Sequence, residues 1–235
     1  MAIKDNVAEI KEQIRVSAEK SGRKEEDILL LAVTKLHEPY EIEEVVDSGL
    51  VDFGENKVQE LLSKYDKIKG PVRWHLIGHL QRNKVKDIID KVYMIHSVDS
   101  MRLAKEINKR AEQKGLTVNI LIQVNAAEDE AKFGVKIEET APLIDDIVEN
   151  CPNIRIRGLM CIAPFYEDPN DARPCFKEMK KLYDSYKDDS REAVDFKYLS
   201  MGMSGDFPVA IEEGSNTVRV GTAIFGKRDY RKEEK

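Results

Sequence analysis

Residues 118–125 read VNILIQVN, and this run of β-branched and apolar residues is the clearest strand signal in the chain. The residues after it place Leu143, Ile144, Ile147 and Val148 three and four positions apart, which is the spacing of one face of an α-helix. A strand followed by an amphipathic helix is the repeating unit of α/β folds. This stretch therefore predicts one βα unit.

The same unit recurs on both sides of this stretch. Further strand signals lie at residues 29–35, 52–56, 73–78, 93–97, 154–163, 198–204 and 217–226, and helical spacing separates each from the next. Eight alternations imply parallel strands joined by crossover helices and predict a closed TIM-type (β/α)₈ barrel. An open doubly wound sheet is the alternative, although it usually has fewer strands. Val7, Ile10 and Ile14 predict an extra helix within residues 1–27, and residues 227–235 form a charged tail.

Composition limits the class of protein. The 235 residues suit one barrel domain spanning 1–235, because such a domain typically takes about 250 residues. Apolar residues make up 41% and charged residues 35%, which argues against a disordered chain. The net charge of −6 argues against nonspecific binding to nucleic acid.

Location and metal content can also be predicted. The three cysteines Cys151, Cys161 and Cys175 cannot all pair with one another, which favours a reducing compartment. No apolar run approaches the ~18 residues of a membrane span. The first residues also lack the pattern of a secretory leader. The four histidines lack metal-ligand spacing. We expect a cytoplasmic protein that binds neither membranes nor metals.

In such barrels the functional groups lie in the loops after the strands. The polar and small residues at those ends include Lys35, Asn56, His75, His79, Ser97, Asn125, Ser200, Ser204, Arg219, Gly221 and Thr222. Lys35 shares strand parity with the apolar Leu31 and Val33, so it is expected to point the same way. An ammonium group facing a barrel interior loses solvation, which lowers its pKa and makes the amine a usable nucleophile. The alternative is a lysine that reaches past the strand end into solvent.

The last two strand signals add a candidate anion site. In TVRVGT at 217–222 the two valines share one face, which leaves Arg219 and Gly221 on the other. Gly221 and Thr222 offer N–H groups and a hydroxyl where phosphate commonly binds in barrels. A nucleophilic lysine beside an anion site fits an aldehyde that carries a phosphate, such as pyridoxal 5'-phosphate (PLP) or the sugar phosphate of a Schiff-base aldolase. Ordinary turn and capping chemistry explains the same residues without a ligand.

Five motifs then carry a family resemblance. They are AVTK at 32–35, FGENKVQE at 53–60, WHLIGHLQRNK at 74–84, SMGMSGDF at 200–207 and RVGTAIFG at 219–226. Together they resemble the pyridoxal phosphate homeostasis protein family, over nearly the whole chain. That family resembles the N-terminal barrel of alanine racemase, a fold type III PLP domain. The resemblance implies a vitamin B6-binding protein, expected to be a monomer, that holds PLP as a Schiff base. Such a protein either supplies PLP to apo PLP-dependent enzymes or buffers the free cofactor at a low level.

The resemblance also implies roles for individual residues. Lys35 would form the Schiff base, and Arg219 would donate to the pyridine nitrogen. Ser200, Gly221 and Thr222 would contact the phosphate, with Met201 at the same edge. Asn56 and His75 would lie near the ring. A guanidinium cannot accept the ring proton, so the pyridine nitrogen stays unprotonated and the ring is a weaker electron sink. We therefore expect good cofactor binding and no catalytic residue.

Two departures from alanine racemase bear on activity. After its lysine the racemase carries a Tyr-Gly-His-Gly run, whereas residues 36–39 here read LHEP. The chain also ends nine residues after Gly226, so we expect no C-terminal domain to supply the second acid/base group of a two-base racemase. An amino-acid racemase or Schiff-base aldolase with weak activity is the alternative function. A third hypothesis is binding of nucleic acid or protein through the basic side chains of helix residues 82–91, for which a solvated surface is the simpler explanation.

Overall fold

Eight parallel strands pair in chain order and close into a barrel. The computed structural model describes residues 2–129 and 132–226, so the predicted tail at 227–235 lies outside the described residues. The strands are β1 (Leu29–Val33), β2 (Asp52–Glu55), β3 (Arg73–Leu76), β4 (Met94–Val98), β5 (Val118–Gln123), β6 (Ile154–Met160), β7 (Val194–Met203) and β8 (Thr217–Val220). Strand β8 pairs back with β1, which confirms the barrel and excludes the open sheet.

Helices connect successive strands and surround the barrel. They are α1 (Ile3–Lys20), α2 (Pro39–Asp47), α3 (Val58–Tyr65), α4 (Val85–Ile88), α5 (Met101–Lys114), α6 (Ile137–Asn150), α7 (Arg173–Asp184), α8 (Phe207–Glu212) and α9 (Thr222–Phe225). Local sequence sets several of these bounds: Pro39 occupies the first turn of α2, and Ser100 caps α5 by accepting a hydrogen bond from Leu103 N. No helix within the described ranges has both the length and the apolarity to cross a membrane.

Helix α1 lies where the sequence predicts an extra helix, and it supports the side of the barrel that β7 and β8 form. The amide of Asn6 donates to Ile224 O at 2.8 Å, which links α1 to α9. Just after α1, the guanidinium of Arg23 donates to Ser215 O at 2.8 Å and to the carbonyl of Ile211. Helix α9, which follows β8, and the connection between α8 and β8 are thereby supported from outside the barrel.

The strand boundaries differ from the sequence prediction mainly at β6, β7 and β8. Strand β6 ends at Met160 rather than at 163, and β7 starts at Val194 rather than at 198. Strand β8 ends at Val220, and residues 222–225, predicted as strand, form the short helix α9. Ile224 is fully buried in the outer core. A short apolar run has no period that separates a strand from one buried helical turn, so the prediction extended the strand too far.

The core has two layers, because alternate residues of a barrel strand point inward and outward. Outward side chains such as Leu30, Ala32 and Phe53 pack in one large cluster with the helices. The interior contains two small apolar clusters, Leu31 with Val33 and Ile77, and Met94 with Leu121 and Met160. It also contains the buried polar side chains of His75, His96, Ser200 and Arg219. The interior is therefore partly polar, and this polar part leads to the candidate site.

Candidate functional site

Lys35 lies in the turn directly after β1 and is half-buried. The turn closes with a hydrogen bond from His37 N to Thr34 O at 3.1 Å. Its next residue, Leu36, has a φ of 66°, a left-handed conformation that costs energy in residues other than glycine. The N–H of Leu36 donates to Glu60 Oε2 of α3 at 2.8 Å. Helix α3 thus holds the strained turn that presents Lys35.

A buried ion pair supports the same turn from beneath. Lys64 Nζ donates to Glu55 Oε1 and to the carbonyl oxygen of Thr34, both at 2.7 Å, and Thr34 Oγ1 donates to the same carboxylate oxygen at 2.6 Å. Burial raises the pKa of Glu55, and the neighbouring Lys64 opposes that rise. The residue before Lys35 is therefore held by a charged group in the core.

Arg219 is the main cation of the barrel interior. It lies on β8, where only 4% of the residue is exposed, and it pairs in register with Leu31 of β1. Arg219 Nη1 donates to Ser200 Oγ at 2.7 Å, and Nη2 donates to the carbonyl oxygen of Cys161 at 2.8 Å. Burial lowers the pKa of Arg219, but a guanidinium stays protonated in proteins. The site therefore contains a permanent, oriented donor.

Two backbone N–H groups after β8 converge on one oxygen. Gly221 N and Ala223 N donate to Ser204 Oγ at 3.2 and 3.4 Å. A Cβ at position 221 would lie 3.1 Å from the carbonyl oxygen of Val33, so glycine allows this loop to approach the end of β1 closely. Thr222, the first residue of α9, is exposed beside them. Backbone N–H groups that point to one position in this way can also donate to an anion.

The predicted site residues divide between the barrel mouth and the interior. Lys35, Asn56, Gly221 and Thr222 lie in the turns after β1, β2 and β8. A Cβ at Gly78, just after β3, would lie 2.3 Å from the carbonyl oxygen of Asn56, so the turns after β2 and β3 are in close contact.

The other four predicted residues, Arg219, His75, Ser200 and Met201, lie on barrel strands. His75 and Ser200 are fully buried and bonded to other side chains of the interior. The side chain of Met201 packs in the outer core, so only its backbone can face the mouth. Ser204, rather than Ser200, contacts the N–H groups of Gly221 and Ala223.

Two interior residues were absent from the sequence prediction. Asp52 Oδ1 lies 2.9 Å from His75 Nε2, and His96 Nε2 lies 2.9 Å from His75 Nδ1. The available signal was strand parity, since His96 alternates with the inward-facing Met94. Within residues 2–129 and 132–226, no group of three or more ligating side chains is arranged to bind a metal ion.

The family model described as alanine racemase, N-terminal domain, matches residues 2–229 of the chain. The chain belongs to this family. The relatives similar to it at near full length include two proteins named pyridoxal phosphate homeostasis protein. The one from Aquifex aeolicus is 42% identical over 227 residues, 96% of this chain and 98% of the relative. The one from Escherichia coli K12 is 35% identical over 235 residues and 98% of each chain.

Solved structures agree with the architecture. PipY from Synechococcus elongatus, solved with PLP bound, has a TM-score of 0.81 and 29% identity, covering 95% of this chain and 100% of PipY. A D-threonine aldolase from Filomicrobium marinum has a TM-score of 0.74 at 16% identity, covering 95% of this chain and 60% of the aldolase, and it shows the fold alone. The predicted fold, an alanine racemase N-terminal-like barrel, is confirmed.

Proposed function

We propose that the chain binds PLP at the mouth of its barrel and acts in PLP homeostasis by holding the cofactor and supplying it to apo PLP-dependent enzymes. The names of its relatives and the PLP-bound PipY structure support this function. The observation that carries it is the buried guanidinium of Arg219, which lies on the strand beside β1 and below converging N–H donors.

The residues present fit the three polar features of PLP. Lys35 supplies a primary amine, Arg219 supplies a donor for the pyridine nitrogen, and the loop from Gly221 to Ala223 supplies N–H groups for the phosphate. When bound, PLP supplies an aldehyde that condenses with a primary amine. A buried guanidinium, backbone N–H donors and a lysine at the ends of adjacent strands match the pyridine nitrogen, the phosphate and the aldehyde of PLP.

The chemistry of Arg219 favours holding the cofactor over turnover. A guanidinium only donates hydrogen bonds, so it engages the ring nitrogen in its unprotonated form. An unprotonated ring withdraws electrons less strongly than a protonated one, so carbanions beside it gain less stabilisation. Arg219 therefore contributes affinity and orientation and keeps acid/base chemistry low.

The surface around the site favours exchange with solvent and partners. Leu36 is 49% exposed and Met203 is 38% exposed, and Thr222 is also exposed. A mouth with exposed side chains after β1 and β8 and at the end of β7 lets a cofactor enter and leave without unfolding of the barrel. This geometry supports supply to apoenzymes rather than permanent storage.

We place this activity in the cytoplasm and in a single copy of the chain. Cys151, Cys161 and Cys175 are all buried free thiols, as is usual in a reducing compartment. Light scattering of the PLP-loaded protein is expected to give the mass of one chain, and a stable dimer would contradict this assignment.

A titration with PLP tests the proposed function. The full chain is expected to develop the visible absorbance of PLP bound to a lysine and to saturate. Lys35→Ala is expected to lose that band while keeping its far-ultraviolet circular dichroism. The matched control is Lys86→Ala, because Lys86 is an exposed lysine on α4, and this variant should keep the band. An unchanged band in Lys35→Ala would contradict the proposal.

A second experiment separates supply from catalysis. Loaded protein is mixed with the apo form of a PLP-dependent enzyme, whose recovered activity measures delivery. We expect recovery with wild-type protein and steady D- and L-alanine composition when the loaded protein is incubated with alanine. Sustained interconversion of the two enantiomers would replace this proposal by the racemase alternative.

A further inference from the structure

A continuous chain of hydrogen bonds crosses the barrel interior and ends at Arg219. Asp52 Oδ1 and His75 Nε2 are 2.9 Å apart, His75 Nδ1 and His96 Nε2 are 2.9 Å apart, and His96 Nδ1 and Ser200 Oγ are 3.3 Å apart. Arg219 Nη1 completes the chain with a donor bond to Ser200 Oγ at 2.7 Å. All five residues are buried, with exposures of 4% or less. We call these five residues the interior relay.

The acceptor end sets the bond directions once His75 is neutral. An ionised Asp52 can only accept, so a neutral His75 carries its one hydrogen on Nε2 and donates it to Asp52. His75 Nδ1 then accepts from His96 Nε2, which leaves His96 Nδ1 to accept from the hydroxyl of Ser200. Arg219 can only donate, so it donates to Ser200 Oγ. In this arrangement both imidazoles are neutral and in the same tautomer.

The electrostatics of the interior agree with this assignment. Burial lowers the pKa of His75, and burial together with the neighbouring His75 and Arg219 lowers the pKa of His96 well below its ordinary value. Burial alone would raise the pKa of Asp52, but hydrogen bonds from His75 and Arg73 outweigh it and hold the pKa below its ordinary value. Arg73 Nη2 donates to Asp52 Oδ2 at 2.5 Å, and the ring of Tyr93 also packs against His75.

We propose that Asp52, His75, His96 and Ser200 are positioning residues that hold the Arg219 guanidinium in one orientation. Ser200 fixes Nη1, the carbonyl oxygen of Cys161 fixes Nη2, and the relay prevents Ser200 from rotating away, since its only hydrogen is committed to His96. The predicted effect on PLP affinity rests on the proposed function. The hydrogen-bond arrangement of the relay in the cofactor-free protein is independent of that function.

Imidazole ¹⁵N NMR of the cofactor-free protein tests the relay by itself. His75 and His96 are assigned by comparison with His75→Gln and His96→Gln. We expect both rings to show hydrogen on Nε2 alone and to stay neutral between about pH 7 and about pH 5.5, below the ordinary histidine pKa. Hydrogen on Nδ1 of either ring, or titration of either ring within this range, would overturn the assignment.

Variants of His96 test the effect of the relay on the site. His96→Leu leaves Ser200 without its acceptor, and we expect the dissociation constant for PLP to rise about tenfold, with a shifted visible band. His96→Gln can accept through Oε1 and donate through Nε2, so it should restore affinity to within about threefold of wild type. Met94→Ala, which creates a cavity in the interior but removes no hydrogen-bonding group of the relay, is the matched control and should keep the wild-type band.

The outcomes separate the two proposals. Wild-type affinity and spectrum in His96→Leu would overturn the positioning role, as would an equal loss of affinity in Met94→Ala. If wild-type protein failed to bind PLP at all, the proposed function would fall, while the tautomers in the free protein would still decide the relay. If His96→Leu did not fold, His96→Gln and the NMR measurement would decide it.

Discussion

Replacing Lys64 by methionine tests the buried ion pair that supports the Lys35 turn. The Lys64 side chain is 7% exposed, and its ammonium group contacts both Glu55 and the carbonyl oxygen of Thr34. Methionine keeps an unbranched stem of similar volume but removes the charge and both hydrogen bonds. Glu55 then keeps only the hydroxyl of Thr34 as a partner in the core.

The expected loss of stability is large at neutral pH. Removing one partner of a buried ion pair costs about 3–5 kcal/mol, because the remaining charge is buried without compensation. A typical domain has an unfolding free energy of about 5–15 kcal/mol, so this loss is a large fraction of the total. Removing both charges together, in Glu55→Gln with Lys64→Met, should recover most of it.

The loss should also depend on pH. Burial already raises the pKa of Glu55, and without Lys64 that pKa rises further. A carboxyl group whose pKa is raised on folding favours the folded state at pH values below its unfolded pKa, and this contribution disappears as the pH rises through the folded pKa. The Lys64→Met variant should therefore regain stability relative to wild type as the pH falls from neutral towards the ordinary carboxyl pKa.

Urea unfolding of the full chain across this pH range is the assay. Lys86→Met, at an exposed lysine of α4, is the control and should unfold like wild type. A loss below about 1 kcal/mol, as for a surface ion pair, would refute the reasoning. So would a loss that does not change with pH, or a double variant no more stable than Lys64→Met.

Three further predictions use the same structure. Gly78→Ala places a Cβ 2.3 Å from a backbone oxygen and should lower the unfolding free energy by about 1–3 kcal/mol in urea, whereas Gly205→Ala, with open space around it, should not. Burial lowers the pKa of His75 and His96, so both rings take up protons only on unfolding. The unfolding free energy should therefore fall below about pH 6.5, by about 1.4 kcal/mol per pH unit for each histidine. The variant His96→Gln should halve that slope. Burial raises the pKa of Tyr198 to about 12, so the last phenolate to appear in an ultraviolet titration should vanish in Tyr198→Phe; loss of an earlier one would contradict this.

The barrel could be predicted from sequence because its signals are local. Each strand carries its own apolar run, and each helix carries its own spacing of three and four, so the order of elements can be read along the chain. Helix α9 is the exception. Residues 222–225 are as apolar as a strand, yet they form a helix that contacts α1. Asn6 of α1 and Ile224 are 218 residues apart in the sequence, so no local pattern contains this contact.

The site could be predicted only in part. Lys35, Gly221 and Thr222 follow strand ends, and position along the chain is enough to place them at the mouth. The partners of Ser200 depend on how β3, β4, β7 and β8 are staggered around the closed barrel, and register shifts between β7 and β8 move Ser200 relative to Arg219. No pattern within one strand encodes that stagger. Asp52 and His96 were missed for the same reason.

The central claim is that the amine of Lys35 reaches the aldehyde of bound PLP. Borohydride reduction of the PLP-loaded protein, followed by peptide mass mapping, measures this directly because reduction makes the bond permanent. We predict one pyridoxyl adduct, on Lys35, and none in Lys35→Ala. An adduct on a different lysine, or a loaded protein that yields no adduct, would contradict the account.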